Sequence, residues 1–317
     1  MLKRIVISFL VILVIGFTFV SCDSDNSKSN PDFNARTTPL SLENYGSSDL
    51  KVTIKVFNSA ANDSKLKYSI DDGEIQTVSL IADTEITVPA GGTISFYDDR
   101  SNTTSASYTI KCDTECYVYG NVMSLINSTD FKDLTSLENL AYSFAALFYE
   151  NTKIKNHPSK PLVLPATTLA NNCYHRMFQG CTGLTQAPEL PATTLANECY
   201  VAMFHSCTGL TETPVLPATE LKPACYYQMF IDCTGLTEAP VLKAEELVTR
   251  CYALMFSGCM NINKVICHAT SDNGTASTTN WLNGVASTGT FSRPATASFW
   301  VSDSPSGIPN GWTTTDL

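Results

Sequence analysis

Apolar and polar positions alternate with period two along Asp49-Leu-Lys-Val-Thr-Ile-Lys-Val-Phe, along Leu66-Lys-Tyr-Ser-Ile and along Thr84-Glu-Ile-Thr-Val. Each run reads as a half-buried strand, and Ile70-Asp-Asp-Gly and Pro89-Ala-Gly-Gly read as the turns between them. Residues 35–120 are therefore expected to form an antiparallel β-sandwich with immunoglobulin-like topology. A segment of that size supports one modest core.

Beyond this block the pattern changes from alternation to strict repetition. A Cys-Tyr-x-x-Met-Phe motif returns every 26 residues, at Cys173, Cys199, Cys225 and Cys251, with Phe178, Phe204, Phe230 and Phe256 closing each copy. A second cysteine follows in every copy, at Cys181, Cys207, Cys233 and Cys259, and then Leu184, Leu210, Leu236 or Ile262. A fixed period of this length marks stacked units that cannot bury their apolar faces alone, so the working surface is an extended wall and not a cleft. Leu195, Cys199 and Met203 are spaced by fours, which predicts a short helix over Leu195 to Phe204 and its equivalents. The Thr-Gly pair then stops it, and Leu-Thr-x-x-Pro-x-Leu predicts an extended segment interrupted by proline. The expected class is α+β: the N-terminal sandwich, then a short leucine-rich-repeat-like α/β solenoid over 121–267, with clear repeats over 165–267 and a C-terminal cap over 268–317.

A worn copy precedes the clear ones. Placing Leu147–Phe148 on Met177–Phe178 puts Asn151 on the second cysteine and Ile154 on Leu184, so the stack begins near Leu137 and holds about five units. At the other end lie Trp281, Phe291, Phe299, Trp300 and Trp312, including all 3 tryptophans of the chain. They read as a cap over the last repeat face, with an aromatic sugar-binding platform as the alternative. Gln186, Glu212 and Glu238, and Glu189, Val215 and Val241, fall between inward-pointing leucines in the extended segments. They are the candidate binding rows, because repeat-variable positions on one wall are what stacked repeats use to grip ligands.

The repeat residues carry a resemblance. Met-Phe-x-x-Cys-x-x-Leu followed by a Leu-Pro turn resembles the BspA-like leucine-rich repeat. The full Cys-Tyr-x-x-Met-Phe-x-x-Cys-Thr-x-Leu pattern resembles surface lipoproteins of gut Bacteroidetes. The likeness runs from about Tyr117 to the C-terminus and includes flanking segments at Tyr119 to Ile126 and Asn280 to Val285. It implies display and adhesion, with no chemistry attached.

The first 22 residues read as an address. Lys3 and Arg4 precede an uncharged apolar run from Ile5 to Val20, and Ser21-Cys22 follows, as in a secretory leader cleaved before a lipidated cysteine. The run falls short of the ~20 residues that a spanning helix needs. Cys22 is the expected lipid anchor, residues 23–34 the solvated tether, and the outer membrane or cell surface the expected location. The acidic residues after Cys22 also resemble the surface-export signals of Bacteroidetes lipoproteins.

Composition narrows the function class. The chain has 317 residues and a formal charge of −10, which becomes −12 once Lys3 and Arg4 leave with the leader. Nucleic acid is excluded as a partner, since phosphate binding needs concentrated Lys and Arg. No Gly-x-Ser-x-Gly, His-Glu-x-x-His or phosphate-binding glycine loop is present, so neither an enzyme nor a cofactor is expected. The 12 cysteines of an exported chain would ordinarily form disulfides, and Cys112-x-x-x-Cys116 is a candidate. For the ladder cysteines three readings stand, in this order: buried thiols, intra-repeat bridges such as Cys173–Cys181, and metal ligands. Asp71–Asp72 and Asp98–Asp99 are either turn residues or a calcium site. The functional expectation is adhesion to a host or environmental protein or glycan through the repeat face, with glycan capture for a polysaccharide-uptake system, or a structural spacer or filament subunit, as alternatives.

Overall fold

The computed structural model describes residues 33–58, 65–99 and 107–317. The leader, Cys22 and most of the tether lie outside the described residues.

Eight strands form the N-terminal part: β1 (Leu40–Glu43), β2 (Leu50–Asn58), β3 (Lys65–Ile70), β4 (Gln76–Ser79), β5 (Thr84–Val88), β6 (Thr93–Tyr97), β7 (Ser107–Cys112) and β8 (Cys116–Asn121). The period-two runs explain them. Leu50, Val52 and Ile54 are fully buried while Lys51 and Lys55 are exposed, as the alternation of a pleated strand requires. One sheet has the order β5-β2-β7, and the other runs β8-β1-β6-β3-β4. Among these eight strands every pairing is antiparallel.

The larger sheet does not stop at β8. Strands β9 (Ile154–Asn156) and β10 (Leu162–Val163) both pair with β8 in parallel. The sheet is therefore mixed, and the expected self-contained antiparallel sandwich of immunoglobulin type is corrected. Ile110 N–H also donates to Leu147 O (2.8 Å), and one buried apolar cluster runs through both parts of the chain.

The expected α/β solenoid is corrected as well. Among the described residues there is no α-helix; the helical elements are two 3-10 turns, Val122–Leu125 and Phe131–Asp133. Nor does the wall close into a continuous sheet. Its strands β11 (Glu246–Leu247), β12 (Lys264–Ile266), β13 (Ser271–Asp272), β14 (Gly289–Arg293) and β15 (Trp312–Asp316) are short. Elsewhere single parallel bridges link the units, such as Thr168 to Thr194 and Gln186 to Glu212. Pro188, Pro214 and Pro240 sit in the extended segments and offer no backbone donor, which prevents a full ladder.

The supposed helices are chains of tight turns. In the first clear repeat Asn172, Arg176 and Gly180 have φ of 56°, 55° and 75°, and the same positions are left-handed in each later repeat. Two sets of donors alternate along this stretch. Cys173, His175 and Met177 N–H donate to the carbonyls of Ala170, Asn172 and Tyr174, three residues back. Tyr174, Arg176 and Phe178 N–H donate to Cys199, Val201 and Met203 in the next unit, at 2.9–3.0 Å. The physical reason lies in the spacing. Leu169, Cys173, Met177 and Cys181 are all buried, yet an α-helix advances about 100° per residue, so three steps of four would carry the last some 120° away from the first. A turn repeating every four residues keeps all of them on one side. Left-handed backbone costs roughly 1–2 kcal/mol per non-glycine residue, and the unit-to-unit bonds and the packing beneath them offset it.

That packing is columnar. Phe148, Phe178, Phe204, Phe230 and Phe256 stack with ring centroids 5.6–5.8 Å apart. A second column runs Phe144, Tyr174, Tyr200, Tyr226, Tyr252, Trp281 and Trp300 at 5.2–6.4 Å. Trp281, Phe291, Trp300 and Trp312 are buried, and Trp281 and Trp312 donate their indole N–H to Gly307 O (2.8 Å) and Ala286 O (2.7 Å). Their ring faces are taken up by the core, which favours the cap over the sugar platform.

Candidate binding wall

The second cysteine of each unit fixes the spacing of the wall. Cys181, Cys207, Cys233 and Cys259 donate their thiols to the carbonyls of Phe148, Phe178, Phe204 and Phe230 in the preceding unit, at 2.8–3.0 Å. Burial pushes the Cys207 and Cys259 thiols up to about 12, so they remain protonated donors. In the worn unit Asn151 takes this place and donates to Ile110 O of β7 (3.0 Å). The first-cysteine ladder is looser, with Cys199 Sγ 3.8 Å from Cys225 O. All eleven described cysteines are free thiols, which favours the buried-thiol reading over bridges.

On this frame the extended segments place the expected rows. Gln186 bridges Glu212, and Glu238 bridges Lys264, both in parallel register, and all four side chains are exposed. Glu238 pairs with Lys264 at 2.9 Å. Glu212 has no ion pair among the described residues. The second row, Glu189, Val215 and Val241, is exposed too, with Val215 at 69%. The six residues are thus solvent-exposed: Gln186, Glu212 and Glu238 form a polar row, and Glu189 is followed by two valines in the other. None of the six is aromatic.

Three parts of the wall escaped the sequence reading. Asn156 of β9 holds the start of the first row: its Oδ1 accepts from Thr185 and Gln186 N–H (2.8 and 3.1 Å), and its Nδ2 donates to Gln186 O (2.9 Å). Lys264 and Thr290 continue the row, since β12 pairs β14 in parallel with Lys264 opposite Thr290. Carrying the 26-residue step onward from Gln186 reaches both. Thr313 of β15 lies opposite Thr290 and ends the strip, and only the structure reveals it.

The aspartate pairs are occupied. Asp71 and Asp72 form a left-handed turn, with Asp71 accepting from Thr93 N–H (2.7 Å). Asp99 binds Lys67 and Ser128, and the lysine contact foremost holds its carboxyl down at about 2. A cleft of about 420 Å³ beside Phe33 contains Lys160, which is committed to Glu43 (2.6 Å) and to the Tyr119 ring (4.5 Å). No helix among the described residues is long and apolar enough to cross a membrane.

Comparison with protein-family profiles, with curated proteins and with solved structures found no match.

Proposed function

We propose that this chain is a lipid-anchored surface protein that binds an extracellular macromolecule across its repeat wall. The observation that carries the reading is the row from Asn156 through Gln186, Glu212, Glu238 and Lys264 to Thr290, with the Asn156 side chain bonded to Gln186, backbone bridges at Gln186–Glu212 and Glu238–Lys264, paired strands at Lys264–Thr290, and thiols donated from one unit to the next. Backbone positions held at regular spacing on a rigid frame meet a ligand without the cost of ordering a loop. Exposed valines beside unneutralised carboxylates fit a protein ligand that presents basic and apolar groups. The resemblance to BspA-like surface lipoproteins supports the same reading, with anchoring through Cys22 at the outer membrane. Glycan capture is the second reading, favoured by exposed Tyr45 stacked on Tyr117 at 4.2 Å, where β8 adjoins the start of the wall.

The test is an array of extracellular-matrix proteins and glycans probed with the wild-type protein and with Glu212→Lys. Protein hits weakened by Glu212→Lys support the leading reading, and glycan hits indifferent to it move the site toward Tyr45. No hit of either kind would overturn the binding function.

A further inference from the structure

Cys112 and Cys116 stand apart from the ladder cysteines. Cys112 ends β7, Cys116 begins β8, and Asp113, Thr114 and Glu115 join them. Their strands belong to different sheets: Cys112 lies opposite Val52 of β2, and Cys116 opposite Ile154 of β9. The sulfurs are 3.2 Å apart, the Cys116 thiol donating to Cys112 Sγ. The loop is held to β2 by a pair of bonds, with Lys51 N–H on Asp113 Oδ1 (2.9 Å) and Asp113 N–H on Lys51 O (3.2 Å). Asn151 Nδ2 lies 3.5 Å from Cys112 Sγ.

We propose that Cys112 and Cys116 are a thiol–disulfide exchange site that closes a cross-link between the two N-terminal sheets where the repeat stack docks. Bond formation needs the sulfurs to move about 1 Å closer, to the ~2.05 Å of a disulfide, with the loop already in place. Cys112 is the attacking sulfur. It is the only described cysteine that is not fully buried, and the hydrogen bond from Cys116, aided by Asn151, holds its thiol below the ordinary value. Cys116 is the resolving sulfur, its own thiol pushed far up, chiefly by the same bond.

The oxidant is a low-molecular-weight disulfide. The Cys112 thiolate attacks one of its sulfurs, forming a mixed disulfide and releasing one small thiolate. Cys116 then gives up its proton to solvent and displaces the second small thiol. Two protein thiols are oxidised to one disulfide, and the small disulfide is reduced to two thiols. The ladder thiols do not compete, because they are buried and protonated, and those of the second ladder are committed to carbonyls.

The experiment equilibrates the folded, reduced full chain with oxidised glutathione, quenches in acid, alkylates in denaturant and maps peptides by mass. Cys112 and Cys116 are expected to lose alkylation together and appear linked, while the ladder cysteines stay alkylatable. Cys116→Ser should trap glutathione on Cys112, about tenfold faster than Cys112→Ser takes it up on Cys116. The proposal is overturned if both cysteines remain alkylatable in fully oxidising buffer, if ladder cysteines oxidise first, or if the two variants react equally. Should neither variant fold, the wild-type map alone decides.

Discussion

The thiol of Cys207 donates to the carbonyl of Phe178, 2.9 Å away and 29 positions earlier in the chain, and it does so in the company of a Phe178–Phe204 ring stack at 5.6 Å. One small residue thereby gives the Phe178 carbonyl, which already accepts from Cys181 N–H, a second donor from the next unit while leaving room for the aromatic column.

Removing that donor takes one of two hydrogen bonds from the Phe178 carbonyl, which also accepts from Cys181 N–H at 3.0 Å. Cys207→Ala should cost about 0.5–1.5 kcal/mol, the net worth of one buried hydrogen bond, and Cys207→Ser, which keeps a donor, should be less damaging. Urea unfolding of the three proteins decides. An alanine variant as stable as the serine one means that the cysteine matters only as filler.

The column itself carries more. Phe204 is fully buried between Phe178 and Phe230, so Phe204→Ala should cost about 3–5 kcal/mol. Repeats contact their neighbours only, so hydrogen exchange should accelerate first in the amides around Phe178 and Phe230. Uniform acceleration from Leu40 to Trp312 would speak against a stack of separable units.

The repeat register and the buried set were legible because identity at a fixed period needs no knowledge of backbone conformation. Placing Leu147–Phe148 on Met177–Phe178 required only that, and the rings of Phe148 and Phe178 do stack, at 5.8 Å. The chain of tight turns was not legible and was read as a helix, because Leu195, Cys199 and Met203 satisfy a period of four and a period of 3.6 equally well over so short a run. Extending the run to Cys207 separates the two. Parallel pairing of β9 and β10 onto β8 was hidden for another reason: three- and two-residue strands leave no periodic trace. Of the wall, the exposed rows followed from repetition, whereas Asn156 lies in the worn unit, where the period is broken by inserted residues.

Stability should depend on pH through three histidines. His157, His175 and His205 all have values lowered from the ordinary one, with burial as the leading cause, followed by Lys160 at His157 and by Arg176 at His175. A histidine whose folded value lies below its unfolded one binds protons more readily when unfolded. Its contribution is present above about 6.5 and is lost as pH falls from there through the folded value. Unfolding free energy should thus fall between about pH 7.5 and about pH 5.5, and His157→Gln, which abolishes that titration, should flatten the curve. A curve that rises toward acid would show the shifts to be of the opposite sign.

Anchoring is tested at Cys22. Cys22→Ala should release the protein from membranes or leave it as uncleaved precursor. Labelled fatty acid still incorporated into that variant would remove the lipoprotein from the account.

The central claim is that the repeats are tight-turn units bonded to one another and not helices, since this geometry sets the wall's spacing. Arg176 tests it most directly: it is exposed, has φ of 55°, and lies within the stretch whose spacing mimics a helix. The measurement is the unfolding free energy of Arg176→Gly against wild type. Glycine adopts left-handed backbone without strain, so the account predicts that the variant is more stable by about 1 kcal/mol. A loss of about 1 kcal/mol, the cost of glycine inside a helix, would contradict it.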